Sequence, residues 1–290
     1  MGNAAQVAEV GRVLGELGSV ALVLGVGLLM FLVERLAPGT RLPRVQSWWP
    51  RAIAFNGLQV GIVLAAGWAW QRAWGGVSLL DLSSWGTLGG GAAAYLLSTC
   101  VYYAWHRARH EVPLLWRWFH QLHHSPARLE LITAFYKHPL EVLANAAISS
   151  ATVYLLLGVT PAAGALYTAL AGLAELFYHW NVRTPRWLGL VVQRPEMHRV
   201  HHERGRHASN YADLPLLDML FGTYVNPARA DAPCGFADDR ELQVGAMLRG
   251  VDVEQAAATA DVGASASAVR TPAGALAGPA RQARRATRSF

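Results

Sequence analysis

LGGGAAAYLLSTCVYYAWHRARH, residues 88–110, joins two kinds of chemistry in one unbroken stretch. Residues 88–105 carry no charge and are apolar or small, close to the ~20 residues a bilayer-crossing helix needs. His106 and His110 follow at once, four positions apart, so a continuing helix sets both rings on one face. Further along, His120, His123 and His124 read H-x-x-H-H, and His198, His201 and His202 repeat that spelling. His179 stands between the two runs. These nine of the chain's eleven histidines form a spaced set, and imidazole is the commonest protein metal ligand.

Four more apolar stretches accompany 88–105. They are Leu17–Val33, Ile53–Trp70, Leu140–Val159 and Pro161–Trp180, with Gly158 to Pro161 a tight turn between the last two. With 53% hydrophobic residues, the chain is predicted to be an all-α, polytopic membrane helical bundle of about four to five transmembrane helices, with a histidine-rich helical cap. Residues 1–87 read as N-terminal transmembrane helices. Residues 88–247 read as a histidine-bearing domain, and 248–290 as a disordered basic tail rich in alanine, serine and glycine. Glycines 89–91 are expected to allow close helix packing.

Following the spans through a bilayer brings every histidine segment out on one face. That face also carries most of the arginine: Arg35, Arg41, Arg44 and Arg51 in the first loop, and Arg183 to Arg206 after the last span. Positive residues favour the cytoplasm, so the histidine face and C-terminus are expected there, the N-terminus outside, in a bacterial inner membrane. The net charge of +6 is read as this topology and not as nucleic-acid binding. The chain's one lysine is Lys137. Cys100 and Cys234 are expected to be free thiols. No cleavable signal peptide is expected, since Glu34, Arg35 and a proline follow the first apolar run.

Nine imidazoles exceed what one ion holds, so two ions are the natural count, and all-nitrogen ligation suits iron, zinc or copper. The candidate ligands are His106, His110, His120, His123 and His124 from the first half, and His179, His198, His201 and His202 from the second. Their division between the ions is left open. His138 starts the fourth span and is an alternative ligand or a supporting partner. Glu141 and Glu175 are candidates to orient a ligand's other nitrogen, or are interfacial charges. Asp218 is a further candidate, with helix capping the alternative. Trp116, Trp118, Phe119 and Trp187 suit either a lipid entrance or an interfacial aromatic belt. His207 reads as a surface residue. A zinc hydrolase is disfavoured by the missing H-E-x-x-H. A metal carrier, the non-enzymatic alternative, places its ligands near the midplane and not at one edge.

Several motifs together resemble the fatty acid hydroxylase/sterol desaturase superfamily. They are W-H-R-x-x-H at Trp105–His110, H-Q-L-H-H at His120–His124, H-P-L-E at His138–Glu141, F-Y-H-W-N at Phe177–Asn181 and M-H-R-V-H-H at Met197–His202. N-Y at Asn210 and D-M-L-F-G-T-Y at Asp218–Tyr224 extend the likeness, which covers roughly 90–225. The resemblance implies a membrane enzyme with two non-haem iron ions that uses O2 and external electrons to hydroxylate or desaturate a lipid C–H bond. It implies a lipid substrate and a separate electron-donor protein, because no H-P-G-G haem motif of a fused cytochrome b5 occurs. Leu217 and Ala212 depart from the family's usual tryptophan and glycine. Arg183 stands where some members carry another histidine, which leaves one iron with a vacancy or completed by water or Asn181.

Overall fold

The computed structural model describes residues 24–206 and 208–256, so His207 and most of the expected tail lie outside the described residues. The described chain is all-helical apart from one isolated bridge between Glu203 and Cys234. It divides into two units, 1–253 and 254–290, and of the second only 254–256 are described, as helix.

In the first unit, α1 is helical from 24 to 36 and α2 spans Trp48–Trp74. α3 is Gly86–Glu111, continuing past the apolar run so that His106 and His110 ride on the same helix. α4 is a composite of Pro113–Leu115, the π-helical Trp116–His120 and Gln121–His124. α5 is Pro139–Ser150, prolonged by a π-helical Ala151–Leu156, and α6 is Pro161–His179. α7 is Pro195–His201, α8 Leu216–Leu220 and α9 Val244–Met247.

Each of α4 to α7 starts at a proline, whose missing N–H costs nothing in a helix's first turn. Thr160 caps α6 by accepting from the Ala163 amide at 3.2 Å, and Gly158 turns the chain at φ 61°, closing the α5–α6 hairpin. These prolines and caps fix where each histidine helix begins, and hence the direction in which its rings point.

α3 packs most extensively on α6, and α2 packs on α5. The α3–α6 approach depends on Gly91, where a Cβ would sit 2.8 Å from Leu166 Cδ2 and 3.1 Å from the Ala163 carbonyl. Within the cap, buried Glu130 accepts from Trp48 Nε1 at 2.8 Å and Arg128 Nε at 2.6 Å, and pairs with Arg35. Glu34 accepts the amides of Leu131 and Asn181, so α1, α2 and the cap are tied through two buried carboxylates. The chain stays packed beyond residue 247: Val253 is buried, and Gln121 donates to the Val251 carbonyl at 2.8 Å.

Among the described residues, two helices are long and apolar enough to cross a membrane, Trp48–Trp74 and Pro139–Leu156. α2 turns its apolar side chains outward, with Ile53, Val60, Leu64 and Trp68 each at least 60% exposed. Buried charged side chains are found elsewhere, as at Glu130, Glu141 and Arg194.

Candidate metal centre

Nine histidines converge into two groups. His106, His110, His120, His124 and His201 form one, and His123, His179, His198 and His202 the other. Within each group one ring nitrogen per residue lies within 4.8 Å of all the others. The groups cross the chain order. Helical geometry explains this: residues four apart point only about 40° apart, whereas neighbours diverge by about 100°. His120 and His124 therefore serve one group while His123 serves the other. His198 and His202 serve the second group while His201 crosses to the first. His124 and His202, from opposite groups, stack with centroids 4.0 Å apart and planes at 11°.

The supports of these rings fix their tautomers. The Nδ1 atoms of His106, His201 and His179 lie 2.8, 2.7 and 2.8 Å from the carbonyls of Tyr211, Ser209 and Glu175. His123 Nδ1 lies 3.3 Å from the Tyr136 carbonyl, and His120 Nδ1 lies 3.0 Å from Glu141 Oε1. Carbonyl oxygens only accept, so the Nδ1 of His106, His123, His179 and His201 donates and the Nε2 keeps its lone pair; His120 Nδ1 lies between Glu141 Oε1 and the Arg109 guanidinium, 3.2 Å away. Yet His123 Nε2 and His179 Nε2 stand 3.2 Å apart. Two lone pairs facing at that distance repel unless a cation lies between them. His179 to His198 and His198 to His202 repeat the approach at 3.0 and 3.1 Å, and His120 to His124 at 3.2 Å. Nitrogens held about 2.0–2.1 Å from a common ion stand roughly 3 Å apart, so the groups fit metal ions.

Burial also keeps the rings neutral. Desolvation pushes the pKa of His120, His123, His124 and His198 well below the ordinary histidine value, and at His120 the Arg109 guanidinium adds to the effect. Neutral imidazole is the form that ligates. His106 Nε2 is buried without a hydrogen-bond partner, although its Nδ1 is satisfied.

The supporting candidates are placed as follows. Glu141 is fully buried, touches His120 and pairs with Arg109. Glu175 reaches the site through its carbonyl on His179, while its carboxylate pairs with Lys137. Asp218 accepts from the amides of Tyr211 and Ala212 and from Thr223 Oγ1 at 2.7–3.0 Å, thereby shaping the loop whose carbonyl holds His106. His138 lies outside both groups and caps α5, its Nδ1 accepting from Leu140 N at 3.1 Å. Asn181 binds Thr40 through both side-chain atoms, and Arg183 donates to the Gly39 carbonyl. The second group thus gathers four histidines and the first five.

Arg109, Tyr178 and Asp213 escaped the sequence reading. The Tyr178 ring packs 4.4 Å from His198, and its hydroxyl bonds to Asp213, which also bonds to Tyr95. Burial, helped by Glu175, raises the Asp213 carboxyl to a pKa of about 7. Arg109 could have been suspected, since it falls three residues after His106 on the helical face that carries it. Asp213 leaves no comparable spacing signal.

A cavity of about 700 Å³ opens beside the histidines. His106, His120, His123, His179 and His198 line it, as do apolar residues from α1, α2, α5 and α6. Trp116 is instead buried against the rings of His110 and His124, and Trp187 is exposed; neither these two nor Trp118 and Phe119 line the cavity.

Residues 91–223, the segment holding all nine histidines, match the family model described as fatty acid hydroxylase. The match covers a little under half of the chain. The relatives agree. An ornithine lipid hydroxylase of Rhizobium tropici is 38% identical over 135 residues, covering 44% of this chain and 39% of that protein. The alkylglycerol monooxygenase of Homo sapiens is 32% identical over 136 residues, covering 46% and 30%. A cholesterol 25-hydroxylase-like protein of Danio rerio is 32% identical over 139 residues, covering 46% and 54%. The aligned part therefore spans from under a third to about half of these relatives. No solved structure matches the chain.

Proposed function

We propose that the chain is an integral-membrane oxygenase that hydroxylates or desaturates a lipid C–H bond with O2 and electrons from a separate donor protein. Hydroxylation balances as R–H plus O2, two electrons and two protons giving R–OH and water; desaturation removes two hydrogens and releases two waters. The nine histidines would hold two iron ions, five on one and four on the other. Iron bound there would supply the oxygen chemistry that no side chain offers for an unactivated C–H bond. The chain's own residues keep the rings neutral and aimed, through burial, main-chain carbonyls and Glu141.

The observation that carries this reading is the pair of facing Nε2 lone pairs on His123 and His179, beside a cavity that is apolar toward α1 and α2. The family model that the histidine segment matches and the names of the similar proteins favour lipid oxidation over metal carriage. In this reading four to five helices cross the membrane and residues 1–87 act as anchor. Residues 88–247 carry the chemistry, and the histidine cap faces the cytoplasm of a bacterial inner membrane. The outward apolar face of α2 supports a lipid contact.

The experiment is lipid mass spectrometry on cells with and without the intact chain, paired with oxygen uptake by the purified, reduced protein. A lipid gaining one oxygen or losing two hydrogens is expected. A folded, metal-loaded chain that changes no lipid and consumes no oxygen with any reductant overturns the reading.

A further inference from the structure

The cavity has two unlike ends. Its outer part is lined by Leu24 of α1 and Val63 and Gly67 of α2. Leu24 is 68% and Val63 43% exposed, so this end opens at the surface among apolar side chains. Its inner part is lined by Arg109, Lys137, Glu141, Glu175 and Asp213. These groups sit against the histidines: Glu141 touches His120, and Tyr178 bridges from the His198 ring to Asp213. An alkyl chain driven to the inner end would strip water from these polar groups and return nothing to them. A polar head placed there, with its chain running outward to Leu24 and Val63, satisfies both ends.

The inner end also selects the head. Arg109 and Lys137 are the only arginine or lysine among the lining residues, and each is already paired with a carboxylate, Glu141 and Glu175 respectively. Neither charge is left over to neutralise an anionic head, although Arg109 Nε is itself buried with no hydrogen-bond partner, which the oxygen of a hydroxyl head would fill. Three carboxyl groups face two cations, and Glu141 Oε2 is buried with no hydrogen-bond partner. A buried acceptor in want of a donor is costly to leave unfilled. We infer that the cavity takes a single-chain amphiphile head first, that this head is a hydrogen-bond donor without negative charge (a hydroxyl or an amine), and that the carbon offered to the histidine site lies within a few bonds of it. This rests on the lipid-oxygenase reading for the fate of that carbon, but not for the binding geometry.

The test uses the full chain in lipid nanodiscs loaded with cobalt(II), a paramagnetic ion that accepts imidazole nitrogen. The probes are dodecanol, dodecylamine and dodecanoate, each carrying 13C at the head carbon or at the terminal methyl. The metal is kept in place because its positive charge favours the carboxylate wherever the side chains do not decide. The alcohol and amine are expected to bind at least roughly tenfold tighter than dodecanoate, the scale of one buried charge-assisted hydrogen bond. The head carbon is expected to relax faster than the methyl. Asp213→Asn should weaken the amine more than the alcohol. Val63→Trp, at the mouth, should weaken all three probes alike, which separates access from head selection. Equal or tighter binding of dodecanoate, or faster relaxation at the methyl, overturns the inference. A chain that binds the alcohol head inward yet consumes no oxygen with any lipid supports the inference and breaks the oxygenase reading, so the two failures are distinct.

Discussion

The two histidine groups gather the same kind of ligand atom on different scaffolding. In the four-histidine group, His123 and His179 are oriented by main-chain carbonyls, which no substitution removes. In the five-histidine group, His106 and His201 are held likewise, but His120 leans on the Glu141 side chain, itself paired with Arg109. One group is fixed by the fold, and the other passes through a buried ion pair that mutation can reach. Glu141 and Arg109 are therefore where the five-histidine position can be perturbed while its neighbour is spared.

Removing a ligand has the largest effect. His198→Ala and His201→Ala, one from each group, should each abolish lipid-dependent oxygen uptake. Each should remove one metal equivalent and keep the other, as metal analysis of the purified variants will show. Next in size is Arg109→Met, which leaves Glu141 buried without its cation and should cost about 3–5 kcal/mol by denaturant unfolding. Glu141→Gln keeps the shape but changes the acceptor on His120. It should weaken the five-histidine position roughly 10–100-fold, by competition with a chelator, and leave the four-histidine position unchanged. Equal weakening of both positions would erase the contrast between the groups.

The histidine pKa values set a pH dependence in the metal-free chain. The folded values of His120, His123, His124 and His198 are depressed by burial, so the unfolded chain binds protons that the folded chain refuses. Stability should therefore be full above the usual histidine pKa of about 6.5 and fall as pH drops below it. The slope is roughly 1.4 kcal/mol per pH unit for each histidine engaged. Melting temperatures measured between pH 8 and pH 5 check this. Smallest, and outside both groups, is Gly91→Leu at the α3–α6 contact. It should cost about 1–3 kcal/mol through overpacking, read in thermal unfolding with metal occupancy retained.

Much of this was legible in the sequence because spacing and geometry share a period. The H-x-x-x-H of His106 and His110 and the two H-x-x-H-H runs place rings on helical faces, and Gly158 to Pro161 marks the α5–α6 turn. What stayed hidden was tertiary. Nothing in the spelling says that His123 and His201 exchange groups, because that depends on how α4 and α7 face each other. Glu175 reads as a carboxylate near a histidine, but it is its carbonyl that touches His179, while its side chain turns to Lys137. Asp213 has no periodic partner in sequence and is brought to the cavity by the loop between α7 and α8.

In the proposed reading the nine histidines make two metal sites and not one. Iron and protein quantified on the same folded sample, prepared in detergent without added chelator, test it most directly. Two iron ions per chain are expected, falling to one in His198→Ala with the fold retained. One ion or none in the folded parent chain, or two ions retained in His198→Ala, would contradict it.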